Sequence, residues 1–296
     1  MLTVLALLLV GVLLGHVRVL PRDAAATLEA FLVRVALPAL ILAVVPDLEV
    51  DARFLLPAAV AWAVVLGLSL LVWAGCRLAD LDRRTTGTLL VVVPLGNTSF
   101  LGFPAVEALL GAAVLPFAVV YDQFGSFLAL ATLSTVVAAR YGAATPPGPA
   151  VMVRRVLRFP PFVALVVSLL ANGLGGLPPA LGDVATTLGA TVTPVAMIAV
   201  GMRLRLRGAG WRPAPLTAGL AARLVLAPAV VLLVARSVGL DDVWRVSVLE
   251  SAMPPMVMGG VVAASAGLDD RLAAQLIAVG AVVAMATLPL WTLALG

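Results

Sequence analysis

The chain holds a single cysteine, Cys76, and a single histidine, His16. One thiol excludes an internal disulfide and a cysteine-ligated metal cluster, and one imidazole leaves no histidine-based metal site. Lysine is missing altogether, so all 19 basic residues are arginine, and charge of either sign makes up only 11% of the sequence. No phosphate-binding glycine loop, nucleophile elbow or metal-ligand pair occurs, which argues against ATP hydrolysis. Without a paired nucleophile and base there is no case for an intramembrane enzyme either. Apolar side chains are what the sequence has in excess: 62% of residues are hydrophobic and the mean hydropathy is +1.15. A soluble domain of this length cannot hide that much apolar surface from water, so the composition is that of a polytopic membrane protein. The net charge of +4 comes from arginines placed between apolar spans. They orient the chain in a bilayer, and no nucleic-acid partner is expected.

Cutting at charged and Pro/Gly-rich stretches leaves ten hydrophobic segments, each near the ~20 residues needed to cross a ~30 Å hydrocarbon core. They are Leu2 to Leu20, Ala24 to Val45, Phe54 to Cys76, Thr85 to Leu110, Ala113 to Ala138, Pro160 to Leu177, Leu181 to Met202, Leu216 to Ala235, Val243 to Ala266, and Leu272 to Leu295. The first has no basic leader or convincing cleavage site and reads as a retained helix. With both termini outside, the inner loops collect Arg18, Arg22, Arg77, Arg83, Arg84, Arg140, Arg154, Arg155, Arg158, Arg203, Arg205, Arg207, Arg212 and Arg271. The outer side keeps Arg53, Arg236 and Arg245, and an acidic connection around Asp47, Glu49 and Asp51. That asymmetry favours an even number of spans with both ends non-cytoplasmic, and the expected location is the cell (inner) membrane of a bacterium. The long stretch 139–159 is then a cytoplasmic linker between two five-segment halves, 1–138 and 160–296.

Two of the ten segments are interrupted. The fourth contains Pro94-Leu95-Gly96-Asn97 and the ninth contains Met253-Pro254-Pro255-Met256. Proline removes a backbone donor and clashes with the preceding turn, so neither segment can be one unbroken helix. In lipid such a break survives only inside protein or beside a cavity, and paired breaks in corresponding halves point to a transport site. Five segments per half is an odd number, which puts the halves in opposite orientations. Leu37-Pro38 in the second segment parallels Thr193-Pro194 in the seventh, and Val93-Pro94 parallels Met253-Pro254. The expected fold is therefore all-α, with ten transmembrane helices in two inverted five-helix repeats and crossed broken helices four and nine.

The strings Pro94-Leu-Gly-Asn97-Thr98-Ser-Phe-Leu-Gly102-Phe-Pro104, Ala252-Met253-Pro254-Pro255 and Thr287-Leu-Pro289-Leu resemble the fourth-, ninth- and tenth-helix signatures of the auxin efflux carrier family. That family includes plant PIN-like proteins and bacterial carriers of malonate- and malate-type anions, and the resemblance extends over all ten segments, Leu37-Pro38 and Val200-Gly201-Met202 included. It implies a fold like that of bile-acid sodium symporters, a scaffold (1–46 and 160–204), a transport domain (53–138 and 214–296) and a homodimer. It also implies motion of the elevator kind. The long hydrophilic central loop of many plant members is absent, and the third segment lacks the charges that plant members carry there.

A helix that restarts after a break presents unpaired N–H groups and a partial positive charge. Asn97, Thr98 and Ser99 suit the cap of the helix running to Leu110, and Pro255 suits the first position of the helix running through Gly260. Two such ends converging make a site for an anion, most simply a carboxylate. The same residues can also serve only to cap a kink. The candidate substrate-binding set is Asn97, Thr98, Ser99, Pro254, Pro255, Met256, Tyr121 and Gln123. Asp122, Glu250 and Arg223 lie inside apolar segments, where charge is costly and by default faces a cavity or another charge. They read either as a coupling proton site (Asp122 or Glu250) with Arg223 as counter-charge, or as a fixed buried ion pair. Glu29 and Arg34 are spaced too poorly to pair on one helix and can pair across a dimer, Glu107 reads as solvated, and Gly11-x-x-x-Gly15 permits close helix packing. The expected activity is secondary active or potential-driven efflux of a small organic anion, a carboxylate or an auxin-like acid, by alternating access. No cofactor or metal is expected, and a proton is favoured over sodium as coupling ion. A sodium-coupled organic anion symporter and a non-transporting receptor of the same fold are the alternatives.

Overall fold

Aspartate and proline set where the helices start. Asp82, Asp241 and Asp269 each stand just ahead of a helix and accept from the N–H groups of its first turn: from Arg84 and Thr85 at 3.0 Å each, from Trp244 at 3.1 Å, and from Leu272 at 3.0 Å. Proline opens five others, where its missing N–H is no loss. The computed structural model describes residues 2–17, 19–21, 23–46, 53–143, 147–204 and 212–296. Among them it is all-helical, with one isolated backbone bridge and no strand. In chain order the helices are α1 Leu2–Val17, α2 Ala24–Val44, α3 Leu56–Leu78, α4 Arg83–Val92, α5 Thr98–Leu110, α6 Ala112–Tyr141, α7 Pro149–Leu157, α8 Pro160–Gly173, α9 Pro179–Arg203, α10 Pro213–Val238, α11 Asp242–Ser251, α12 Val257–Ser265 and α13 Asp270–Leu295. Of the charges used to orient the chain, Arg18, Arg22, Asp47, Glu49, Asp51, Arg205 and Arg207 lie outside the described residues.

Among the described residues six helices, α2, α3, α6, α9, α10 and α13, are long and apolar enough to cross a membrane, and α7 and α8 reach that measure only taken together, across a bend of 64°. Leu66, Leu70, Leu233 and Leu290 stand exposed on three of them, as lipid-facing side chains do. The chain is an integral membrane protein. The remaining expected crossings are shorter: α1 has 16 residues, and the fourth and ninth segments are each split in two, α4 from α5 and α11 from α12, at their prolines. One expectation is corrected. The 139–159 stretch is not simply a loop, because α6 continues to Tyr141 and residues 149–157 form α7.

Proline also loosens helices from within. The π-helical turns Leu32–Ala36, Thr98–Gly102 and Ala222–Leu226 each end two residues before a proline. A ring with no N–H cannot close the regular bond to the fourth residue back, and the turn widens. The carbonyl of Leu224, freed by Pro228, is taken by the indole N–H of Trp291 at 2.9 Å. Inside α6, Tyr121–Phe127 is widened as well, and the indole of Trp62 donates to the Phe124 carbonyl at 2.9 Å. Gly11 and Gly15 bring α1 against α9: a β-carbon at Gly11 would stand 2.9 Å from Ile198 Cα, and one at Gly15 3.1 Å from the Met202 oxygen. That glycine spacing serves a contact within one chain.

Candidate functional site

The two breaks meet. Gly96 and Pro255 form an antiparallel bridge, in which the Asn97 N–H donates to the Pro254 carbonyl at 2.7 Å and the Met256 N–H to the Leu95 carbonyl at 3.0 Å. Each broken helix thus supplies the partners that its own geometry denies the other. Arg223, on the widened turn of α10 and 1% exposed, completes the junction. Its Nε donates to the Met253 carbonyl at 2.8 Å, Nη1 to Pro94 at 3.0 Å and Nη2 to Glu250 at 3.4 Å. Gly96 is required beside it, since a β-carbon there would lie 2.9 Å from the guanidinium carbon.

Two buried carboxyl groups flank the junction in unlike surroundings. Asp122, on the widened turn of α6, accepts from the Thr98 hydroxyl and from the Gln123 amide, the latter at 2.6 Å. Glu250, at the end of α11, is wholly buried, and neither of its carboxyl oxygens has a hydrogen-bond partner. It packs against Gly102, where a β-carbon would come within 2.7 Å of Oε1.

A cavity of about 630 Å³ reaches the junction, a size within the usual range for small-molecule sites. Asn97, Ser99, Asp122 and Met256 line it, together with Arg154, Arg155 and Arg158 from α7 and the turn after it. Among the described residues the Asn97 side chain has no partner, and Asn97 is 6% exposed. Of the residues expected at the site, Thr98 and Gln123 stand one contact back, through Asp122. Tyr121, Pro254, Pro255, Glu250 and Arg223 are buried nearby and do not line the cavity. All the members lie in one neighbourhood, and four of them face its open space.

Some local expectations are corrected. No side chain caps α5, because Asn97 leaves its amide free and the Thr98 hydroxyl turns to Asp122. Pro255 is not the first residue of a helix; it sits in the bridge, and α12 begins at Val257. A fixed ion pair does not form: Arg223 spends its donors on carbonyls and pairs with neither Asp122 nor Glu250. Glu29 pairs within the chain, bidentately with Arg203 at 2.8 Å. Glu107 is exposed and accepts from the Thr193 hydroxyl at 2.8 Å. In the sequence the α7 arginines signal only orientation. The recurrence of Val151, Arg154, Arg155 and Arg158 at helical spacing was the signal that could have put them on one face.

The profile of the membrane transport protein family matches residues 1–147 and 148–292. An uncharacterized transporter of Methanothermobacter thermautotrophicus is 30% identical over 99% of this chain and 97% of its own length. One of Methanocaldococcus jannaschii is 24% identical over 98% of this chain and 96% of its own.

Proposed function

Because the chain belongs to the auxin efflux carrier family of membrane transport proteins, we propose that it carries a small organic anion across the bilayer by alternating access around the junction of its two broken helices. The observation that carries this reading is the bridge between Gly96 and Pro255 at the end of a cavity lined by Asn97, Ser99 and Met256. Helices α5 and α12 restart there, and their amino ends supply N–H groups and partial positive charge to an anion without a basic side chain. The free Asn97 amide adds a directed donor. Thr98 and Gln123 hold Asp122, while Tyr121, Pro254 and Pro255 shape the wall behind.

In this reading the chain makes ten crossings in two inverted halves, with α4–α5 and α11–α12 as the broken pair, in the cell membrane with both termini outside and as a homodimer. Efflux of an anion needs no coupling ion, since moving one negative charge outward gains ~2.3 kcal/mol per 100 mV. Where a proton is coupled, Asp122 and Glu250 are the two carboxyl groups placed to take it up.

Thermal melting of the purified protein in neutral detergent, with acetate, malonate or indole-3-acetate and with or without sodium, tests the reading. Stabilisation by at least one carboxylate irrespective of sodium is expected. Stabilisation only with sodium would replace it with a sodium-coupled symporter, and no stabilisation by any of the three would sink the carboxylate reading. Asn97→Ala should abolish the ligand shift while the ligand-free melting point stays within about 0.5 kcal/mol of wild type, since it removes no protein–protein bond.

A further inference from the structure

Helix α7 turns a charged face to the cavity and an apolar one away from it. Val151, Arg154, Arg155 and Arg158 recur three and four residues apart, the spacing of one helix side, and all four line the cavity. On the other side Val153 and Leu157 are 57% and 60% exposed, as on a helix lying at a membrane surface. The three guanidinium groups make no side-chain hydrogen bond or ion pair among the described residues, whereas Arg83, Arg84, Arg203 and Arg212 are all engaged. A guanidinium has donors only, and three free ones in a single wall attract anions. Asp122 is the one acidic residue among the lining residues, and it is already bonded to Thr98 and Gln123. Most of the remaining lining is apolar, which focuses the field of the arginines into the open space.

We propose that Arg154, Arg155 and Arg158 form a second anion-binding position at the mouth of the cavity, apart from the junction of the breaks, that draws anions in and repels cations. This goes beyond the transport reading and does not require it, because the vestibule is charged whether or not anything crosses.

The test needs no known substrate. Ala131 lines the same cavity and has no part in the junction. In a Cys76→Ala background, Ala131→Cys is treated in neutral detergent with two thiol reagents of similar size, the anionic sulfonatoethyl and the cationic trimethylammonioethyl methanethiosulfonate. With each rate here and below taken relative to the same reagent's rate on a small free thiol, the anionic reagent should react faster, and raising the salt should shrink the preference. Replacing all three arginines by glutamine should lower the anionic-to-cationic rate ratio by about tenfold or more, the scale on which a charged cleft changes local concentrations. Lysine at the three positions should retain it. Equal rates with the arginines intact, or a ratio that the glutamines leave unmoved, would overturn the proposal. Should the triple variant melt early, Arg155→Gln alone must still move the ratio in the same direction, and a ratio unchanged there also overturns it.

Discussion

The two breaks do the same thing to the backbone and opposite things with their side chains. The first, Pro94 to Asn97, ends in polar residues that reach the cavity: Asn97 and Ser99 line it, and Thr98 holds Asp122. The second, Met253 to Met256, carries prolines and methionines. It contributes carbonyls, of which Met253 and Pro254 give theirs to Arg223 and Asn97. The adjoining carboxyl groups follow the same split, Asp122 being bonded and Glu250 having no partner. The first break brings polar side chains to the cavity, and the second brings the apolar wall of Met256 and the amino end of α12. A pair of broken helices therefore need not share its duties evenly, even where the breaks match in sequence.

The strongest way to break this comparison is Arg223→Leu. It strands the buried carbonyls of Pro94 and Met253 at ~1–3 kcal/mol each, while that of Glu250 keeps the Met253 N–H, so a loss of at least ~2 kcal/mol is expected, seen as a collapse of folded yield and melting temperature. Arg223→Lys should recover only part, since an ammonium cannot span acceptors on both breaks.

Gly102→Ala comes next. Its methyl would press on the Glu250 carboxyl, and overpacking of a buried site costs ~1–3 kcal/mol. Denaturant melts should show that loss in wild type and most of it restored when Glu250→Ala makes room. Equal losses in both backgrounds would mean that the two residues are not in contact.

The helices leading into the breaks offer a smaller contrast. Asp82 accepts two backbone N–H groups and the Thr85 hydroxyl, at 2.6 Å, whereas Asp241 accepts one backbone N–H and otherwise pairs at the surface with Arg53. Asp82→Ala should cost about 1 kcal/mol of stability, and Asp241→Ala less. The Thr85 hydroxyl, with backbone N–H bonds and Arg212 behind it, holds the Asp82 carboxyl below the usual carboxylate range. Its contribution should be complete above the ordinary aspartate value of ~4 and fade as the pH falls through the lowered folded value. Melting of wild type and Asp82→Ala should therefore converge in strong acid.

The mildest change in stability belongs to Glu250→Gln. It keeps the size and shape of a side chain that has no partner to lose, and a shift within about 0.5 kcal/mol is expected. The informative readout is uptake against pH in vesicles: flattening by Glu250→Gln but not by Asp122→Asn would give the coupling proton to the unbonded carboxyl, and the reverse result to the bonded one.

Much of this site was readable before any coordinates. Pro94 and Pro254-Pro255 announce breaks because proline chemistry is local, and Asp122, Glu250 and Arg223 stand out because charge is rare in apolar runs. What escaped was set by distance along the chain. Arg223 finds Pro94, 129 positions away, and no count of charges says that a guanidinium will choose carbonyls over carboxylates. Asn97 looks like a cap by residue type, yet the widened turn after it takes Leu101 and Gly102 N–H groups onto its carbonyl and leaves the side chain free. Hydropathy registers Arg154, Arg155 and Arg158 as a topology signal and is blind to the wall they share.

The clamp of Arg223 also has a mechanical side. Pulling the broken helices apart would take the guanidinium from the buried carbonyl of Pro94 or from that of Met253. α4, α5, α11, α12 and the arginine of α10 are thus held as a single unit, and under the alternating access proposed above the sliding surface would lie outside it.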